Sequence, residues 1–335
     1  MYGLEDFGRM IADRARLDAH VEAFRRVVTP SSVVLDLGAG TGIMTLLACR
    51  AGARRVYAVE PTGIAGLISE TAQANGYGDR VVILDRRSTE VTLPERADLI
   101  VSDLRGVLPF FQQHIPAIID ARKRLLARDG VLISRRDVLW AAVLEAPEQY
   151  DELRAPWQQQ FDLDLSAATR FITNTWRKSH IKPEQFLAEP ACWHTIDYHE
   201  VDTPDARAEI SWRVARNGTA HGFAVWFDSE LIDDVAFSNH PAAPRMIYGQ
   251  GFFPFSEPVK VAEGDRIELR LAAKFVQDNY VWRWDTDFTD QERIKASFKQ
   301  STFYGVPLST AQLRTSARDF ASEVLLATEK NQRLK

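Results

Sequence analysis

Apolar residues return along this chain in three successive rhythms, and each predicts a different architecture. Over residues 8–28 (GRMIADRARLDAHVEAFRRVV), Met10, Ile11, Leu17, Val21, Phe24 and Val27 recur at helical spacing with charges between them. That spacing predicts one amphipathic helix, ended by Thr29-Pro30-Ser31-Ser32. Short apolar runs then alternate with helical stretches. Residues 32–38, 55–60, 80–86, 97–103 and 131–134 read as strands. Residues 42–51, 68–76 and 115–130 read as helices, with Asn75-Gly76 and Gly130 as their stops. Strands alternating with helices fold as a parallel sheet with right-handed crossovers, so residues 31–136 are expected to form one α/β domain behind an N-terminal helix, residues 1–30.

From about Asp137 the rhythm shortens. VLWAAVLE, EISWRVARNG, HGFAVWFDSELI, PVKVAEGDRIELRLAAKF and YVWRWDTDF alternate apolar and polar positions, with Asn217-Gly218 and Glu263-Gly264-Asp265 as candidate hairpin turns. Residues 137–290 are therefore expected to form an all-β domain of barrel type. Trp193, Trp212, Trp226, Trp282 and Trp284 fall at alternating positions and read as its core or rim. Residues 150–178 carry little strand character and read as an inserted arm. From 291 to 335 the chain turns helical again.

Composition narrows the function classes. A chain of 335 residues suits two domains. At 45% hydrophobic and 26% charged it is ordinary globular sequence, which excludes disorder over most of its length. Lys+Arg is 41 against Asp+Glu 46, a net charge of −5, so nucleic acid is not held by bulk charge. Cys49 and Cys192 stand far apart with no CxxC spacing, which excludes a thiolate zinc site and points to a reducing cytoplasm. The seven histidines show no clustered metal spacing, so no metal is expected. Charges are scattered where a signal peptide has its apolar core, and no run approaches the roughly 20 apolar residues that cross a bilayer, so no membrane partner is expected.

The chemistry lies in Val34-Leu35-Asp36-Leu37-Gly38-Ala39-Gly40-Thr41-Gly42, which joins the first strand to its helix. Glycines there permit a tight turn and close approach of a ligand, and the helix N-terminus behind them favours negative charge. Glu60 closes the next strand, where a carboxylate can accept from both hydroxyls of a ribose or serve merely as a helix N-terminal charge. A dinucleotide fingerprint would need a third glycine where Ile43 stands, which argues against a nicotinamide dehydrogenase. Gly38, Gly40 and Gly42, with Asp36 two residues ahead of the first, resemble the motif of class I methyltransferases that use S-adenosylmethionine.

The resemblance extends over most of the chain to the protein arginine methyltransferase family. Phe7-Gly8, Met10, Asp13 and Arg16 are similar to that family's helix ahead of the core. STEVTLPERADLIVSD, SDLRGVLPFF and LLARDGVLIS follow its third strand, acidic loop and last parallel strand. Trp157 and Phe161-Asp162-Leu163 are similar to its dimerisation arm, and IKPEQF, residues 181–186, to the strand after it. The resemblance implies a Rossmann-like domain, a β-barrel domain and a homodimer, with S-adenosylmethionine as methyl donor and S-adenosylhomocysteine as product. It implies that Arg16 pairs with the methionine carboxylate, oriented by Asp13, and that Asp36 helps to hold the amino group. Glu60 would take the ribose and Ser88 the adenine, while Thr89 stands where the family has an acid.

The acceptor loop departs from the pattern. The family holds a guanidinium between two glutamates, whereas this chain has Asp103 at the first place and Gln112 at the second. Arg105 follows two residues after Asp103. Pointing inward it would neutralise Asp103 and repel a cation; pointing outward it would be a surface residue. Met246-Ile247-Tyr248 replaces the family's Thr-His-Trp, so an acid–histidine link to the N-terminal helix cannot form through Ile247. His114 could touch substrate or lie on a helix surface. The leading expectation is methyl transfer to an arginine guanidino nitrogen in a protein or peptide. The alternatives are transfer to a small-molecule or other non-arginine acceptor, and a S-adenosylmethionine-binding dimer with little catalysis.

Overall fold

A single aspartate divides the predicted first helix. The computed structural model describes residues 3–158, 160–290 and 293–306, and it opens with α1 (Leu4–Ala12) and α2 (Arg14–Val27). Asp13 sits between them, its Oδ1 accepting the backbone N–H of Arg16 at 3.4 Å, so a carboxylate caps the second helix where the sequence reads as continuous. The face that α2 buries holds Arg16 and His20 beside Leu17, Ala23 and Phe24.

The α/β unit runs β1 (Val33–Leu37), α3 (Ile43–Arg50), β2 (Arg55–Val59), α4 (Ala65–Ala74), β3 (Val81–Leu84), β4 (Ala97–Ser102), α5 (His114–Arg124) and β5 (Leu126–Ile133). All five strands are parallel, in the order β3-β2-β1-β4-β5. Every residue of β1 is buried, as expected of a central parallel strand covered on both faces. The order reverses between β1 and β4, and a sheet of this kind opens its ligand crevice there, at the carboxyl ends. Helix α5 is shorter than expected and Gly130 lies inside β5 rather than stopping a helix. Ala97 pairs with Leu126 and Leu99 with Val131, so an irregularity in the ladder takes up the extra residues.

The rest is antiparallel: β6 (Arg136–Leu144), β7 (Arg177–Ser179), β8 (Ala191–Asp197), β9 (Ala206–Arg213), β10 (Gly218–Ile232), β11 (Val235–Ser238), β12 (Gln250–Val261), β13 (Arg266–Val276), β14 (Asn279–Asp290) and β15 (Arg293–Ser301). One sheet has the order β7-β12-β10-β6-β8 with β11 on β10, and the other β15-β14-β13-β9. Aromatic side chains join them in a barrel-like core: Phe253 of β12 meets Trp282 and Trp284 of β14 edge-on, and Phe255 meets Phe288. All five tryptophans read as core or rim are buried.

Neither turn expected to close a hairpin does so. Asn217-Gly218 leads from β9 to β10, and Glu263-Gly264-Asp265 from β12 to β13, and in both cases the two strands belong to different sheets. The two corners brace each other, the Glu263 N–H donating to Asn217 Oδ1 at 2.9 Å and the Gly264 N–H to the Val214 carbonyl at 2.8 Å. A second correction concerns the C-terminal part. Residues 293–301 are not helical but form a strand against β14, while the helical reading of 307–335 lies outside the described residues. The arm comprises α6 (Pro147–Arg154), short turns and α7 (Thr169–Ile172), and it exposes Trp157, Phe161 and Leu163, Phe161 to 94%.

Candidate functional site

The carboxyl end of β1 turns through Gly38, Gly40 and Gly42 with φ of 72°, 55° and 86°, backbone that an L side chain rarely adopts. The N–H groups of Gly38 and Ala39 donate to the Val59 carbonyl at 2.9 and 3.0 Å and tie the turn to β2. Glu60 braces it from the side. Its Oε2 accepts the Gly40 N–H at 2.9 Å, and its Oε1 accepts from the N–H and hydroxyl of Thr62 at 3.1 and 2.6 Å. Oε1 thus has both lone pairs engaged, while Oε2 keeps one free to accept from a ribose hydroxyl. Two apolar side chains lie against the turn. A Cβ at Gly38 would stand 2.0 Å from Leu104 Cδ2, and one at Gly40 would stand 2.7 Å from Phe7 Cε1.

Asp36 is buried, and its Oδ2 accepts the Thr45 hydroxyl of α3 at 2.7 Å. Burial pushes this carboxyl up to about 7, with the charges of Glu60 and Asp103 adding to the shift. Three acids thus crowd the crevice, and a cation placed among them would relieve their repulsion. A nucleoside bearing a sulfonium and an amino group fits such surroundings, with Glu60 beside the glycine turn. Ser88 lies in the turn after β3, where its carbonyl accepts from Arg124 at 2.9 Å; Thr89 is exposed.

Asp103 follows β4 and sits beside the turn, since Leu104, the next residue, covers Gly38. Three groups address its carboxylate. Arg16 Nη1 donates to Oδ2, the Tyr248 hydroxyl donates to Oδ1 at 2.7 Å, and Arg105 Nε stands 3.3 Å from Oδ1. Burial alone would raise the carboxyl, but Arg16 and Arg105 outweigh it and hold it below the ordinary range. Asp103 is therefore an anion whose charge is already met inside the protein. Arg16 also donates to the Met10 carbonyl at 2.6 Å. Asp13 does not orient this guanidinium through its side chain. It caps α2, and its Oδ2 accepts the Ile247 N–H at 2.8 Å. The link from helix to second domain, which Ile247 cannot make through a side chain, is made through its main chain.

Arg105 points inward. Its side chain is fully buried, donating to Asp137 Oδ1 at 3.0 Å, Ser229 Oγ at 2.7 Å and Ser134 Oγ at 2.5 Å, with the rings of Phe227 and Phe237 flanking it. The other oxygen of Asp137 accepts the Tyr198 hydroxyl at 2.6 Å, and that hydroxyl accepts from His114 Nε2 at 2.9 Å. His114 is therefore a buried link in this chain, not a residue of the helix surface. Nothing in the local sequence marks Ser134, Asp137, Tyr198 and Ser229 as one network, because they come from three separate segments.

Gln112 is a correction. It is exposed, its backbone is in the left-handed region with φ of 41°, and no hydrogen bond joins it to Asp103. The loop that would set a second carboxylate against the acceptor turns this position to solvent. The structure thus gathers Arg16, Asp36, the three glycines, Glu60, Asp103 and Arg105, adds Tyr248, and leaves Gln112 facing solvent. Among the described residues no group of three or more His, Cys, Asp or Glu side chains could hold a metal ion, and no helix is long and apolar enough to cross a membrane.

A parallel sheet with a glycine turn and an acid closing the second strand, joined to an antiparallel domain, defines the architecture of class I methyltransferases with an appended domain. Comparison with known proteins narrows this. The model of the arginine methyltransferase oligomerization subdomain matches residues 136–293, and that of the ribosomal protein L11 methyltransferase matches 18–151. The chain is 31% identical to the probable protein arginine N-methyltransferase 6 of Arabidopsis thaliana over 66% of its own length and 53% of that protein. With the protein arginine N-methyltransferase 2 of Mus musculus it shares 30% identity over 76% of its length and 61% of that protein. It spans roughly half to two thirds of these relatives' length. A Trypanosoma brucei chain, from the enzyme–prozyme heterotetramer of protein arginine methyltransferase 1 with AdoHcy, superposes with a TM-score of 0.80 at 22% identity, covering 90% of this chain and 98% of that one. Protein arginine methyltransferase 10 of Arabidopsis thaliana gives 0.77, also at 22%, covering 88% and 96%. The chain belongs to the protein arginine methyltransferase family.

Proposed function

We propose that the protein transfers a methyl group from S-adenosylmethionine to a guanidino nitrogen of arginine in a protein or peptide. The observation that carries this reading is the adjacency of Asp103 and the glycine turn: the acid for a cation and the cradle for a nucleoside meet across one side chain, Leu104. Glu60 would hold the ribose, Arg16 the methionine carboxylate and Asp36 the amino group. The bound donor supplies an electrophilic methyl on a sulfonium whose departure leaves a neutral thioether. The chain's own contribution is position and charge. Asp103, kept ionised by Arg16 and Arg105 and aimed by Tyr248, accepts from the acceptor's N–H groups. With a carboxyl held that low, it acts as a fixed charge rather than as a proton carrier.

The matched oligomerization subdomain and the exposed Trp157, Phe161 and Leu163 of the arm support a homodimer. The free cysteines, Cys49 buried and Cys192 exposed, accord with a reducing cytoplasm. Incubation with labelled S-adenosylmethionine and arginine peptides, followed by mass spectrometry of hydrolysates, tests the reading. Methylarginine is expected. Donor binding without methylarginine on any arginine peptide would overturn it.

A further inference from the structure

The segment Arg245–Tyr248 turns Met246 and Tyr248 inward and leaves a basic surface outside. Inward, Tyr248 reaches Asp103. Outside, Lys178 of β7 lies along the same segment: its Nζ donates to the Ile247 carbonyl, and its Cγ and Cε lie where a Cβ at Gly249 would meet them at 3.2 Å. Arg245 Nε donates to His180 Nε2 at 3.1 Å. Lys178 and Arg245 are exposed, and among the described residues neither forms an ion pair. Burial lowers Lys178 from its ordinary value, and the charges of Arg245 and Arg9 lower it further, so these cations lie within each other's fields. Arg9, across the segment on α1, has its own charge met by Glu5 and Asp6. Of the acids behind the segment, Asp13 is engaged by the backbone N–H groups of Arg16 and Ile247, and Asp103 by Arg16, Arg105 and Tyr248.

A pair of cations with no ion-pair partner among the described residues, on the segment whose Tyr248 touches Asp103, repels an acceptor rich in arginine. It attracts one that carries carboxylates beside its arginine. We infer that the acceptor is an arginine flanked by acidic residues, with Lys178 and Arg245 holding the acidic flank. The inference rests on the arginine-methylating reading and names its substrate class.

At low ionic strength a cation and an anion about 7 Å apart in water change affinity about threefold, so two such pairs give about tenfold. Binding is read by fluorescence anisotropy with S-adenosylhomocysteine present, using two peptides with the same central arginine, one flanked by Asp and Glu, the other by Gly and Arg. Wild type is expected to bind the acidic peptide about tenfold tighter, the gap closing as salt rises. Lys178→Gln with Arg245→Gln is expected to abolish the gap, and Lys178→Glu with Arg245→Glu to reverse it, with affinity for S-adenosylhomocysteine unchanged. Equal binding of the two peptides by wild type, or a gap that survives charge reversal, would overturn the inference. So would a shift of the charge-reversed protein from dimer to monomer in sedimentation, because the surface would then belong to a second copy. A parallel methylation assay separates the two readings. If the acidic peptide binds tighter yet no peptide yields methylarginine, the flank preference stands and arginine methylation fails. If both peptides are methylated with equal kcat/KM, arginine methylation stands and the flank preference fails.

Discussion

Arg16 on α2 and Asp103 after β4 form a buried ion pair. The first is the residue that would hold the donor's carboxylate and the second the residue that would hold the acceptor. In this structure each neutralises the other. Donor and acceptor anchors are thus coupled: whatever draws Arg16 toward a ligand carboxylate frees one oxygen of Asp103, and Asp103 competes with the donor for the same guanidinium.

Asp103→Asn should therefore abolish methyl transfer without weakening S-adenosylhomocysteine. Titration calorimetry is expected to show affinity equal to wild type or a few-fold tighter, because the competitor for Arg16 has lost its charge. A tenfold loss of affinity would contradict the coupling.

Glu60→Ala should cost the nucleoside its sugar contacts and the turn its brace at Gly40. Charge-assisted hydrogen bonds contribute about 1.5–3 kcal/mol each, so a loss of about 10- to 100-fold in S-adenosylhomocysteine affinity is expected. Calorimetry at fixed salt checks it.

Removing Arg105 does not simply clear the site of a repulsive charge. Arg105→Met strands Asp137, a carboxylate buried to 0% exposure, and breaking a buried pair from one side costs about 3–5 kcal/mol. A correspondingly lower urea midpoint is expected. Arg105→Met combined with Asp137→Leu should recover part of the loss. If the double variant is as unstable as the sum of the two single variants, the pair is not the reason.

Acid should weaken the fold. His20 is lowered from 6.5 to about 4 and His114 to about 3, burial being the main cause in both. The unfolded chain binds these protons below pH 6.5 and the native chain does not, so stability is lost as pH falls from about 6.5 toward 4. Asp36 works the other way. Raised from 3.8 to about 7, it keeps its proton in the native state and favours the fold most in acid, a contribution lost as pH rises toward 7. Two histidines outweigh one carboxyl, so urea midpoints should drop between about pH 7 and about pH 5. Asp36→Asn should steepen the drop, and a flat profile in that variant would contradict the assignment.

Much of this molecule is legible in its sequence, because the parallel half is encoded locally. The run VVLDLGAGTG states a strand, a glycine turn and a helix start within ten positions, and Glu60 ends a strand whose apolar residues are consecutive. Where the reading failed, the cause was long-range. Asn217-Gly218 has the chemistry of a hairpin turn, but which strand each neighbour joins is decided by the two facing sheets. Gly130 resembles a helix stop because its place in β5 depends on pairing with β4 some thirty residues earlier. Asp103 could be placed by spacing alone, but the turn of Gln112 to solvent could not. Nor could the inward turn of Arg105, since its partners Ser134, Asp137 and Ser229 come from segments far along the chain.

The bond from Asp13 to the Ile247 amide has an evolutionary corollary. A contact made to a peptide N–H asks nothing of the side chain that accompanies it, so the strut between helix and second domain survives a change at position 247, where the side chain itself answers only to its packing against the core. Every amino acid except proline supplies the donor. Such a site can exchange one apolar side chain for another without loosening the frame around it.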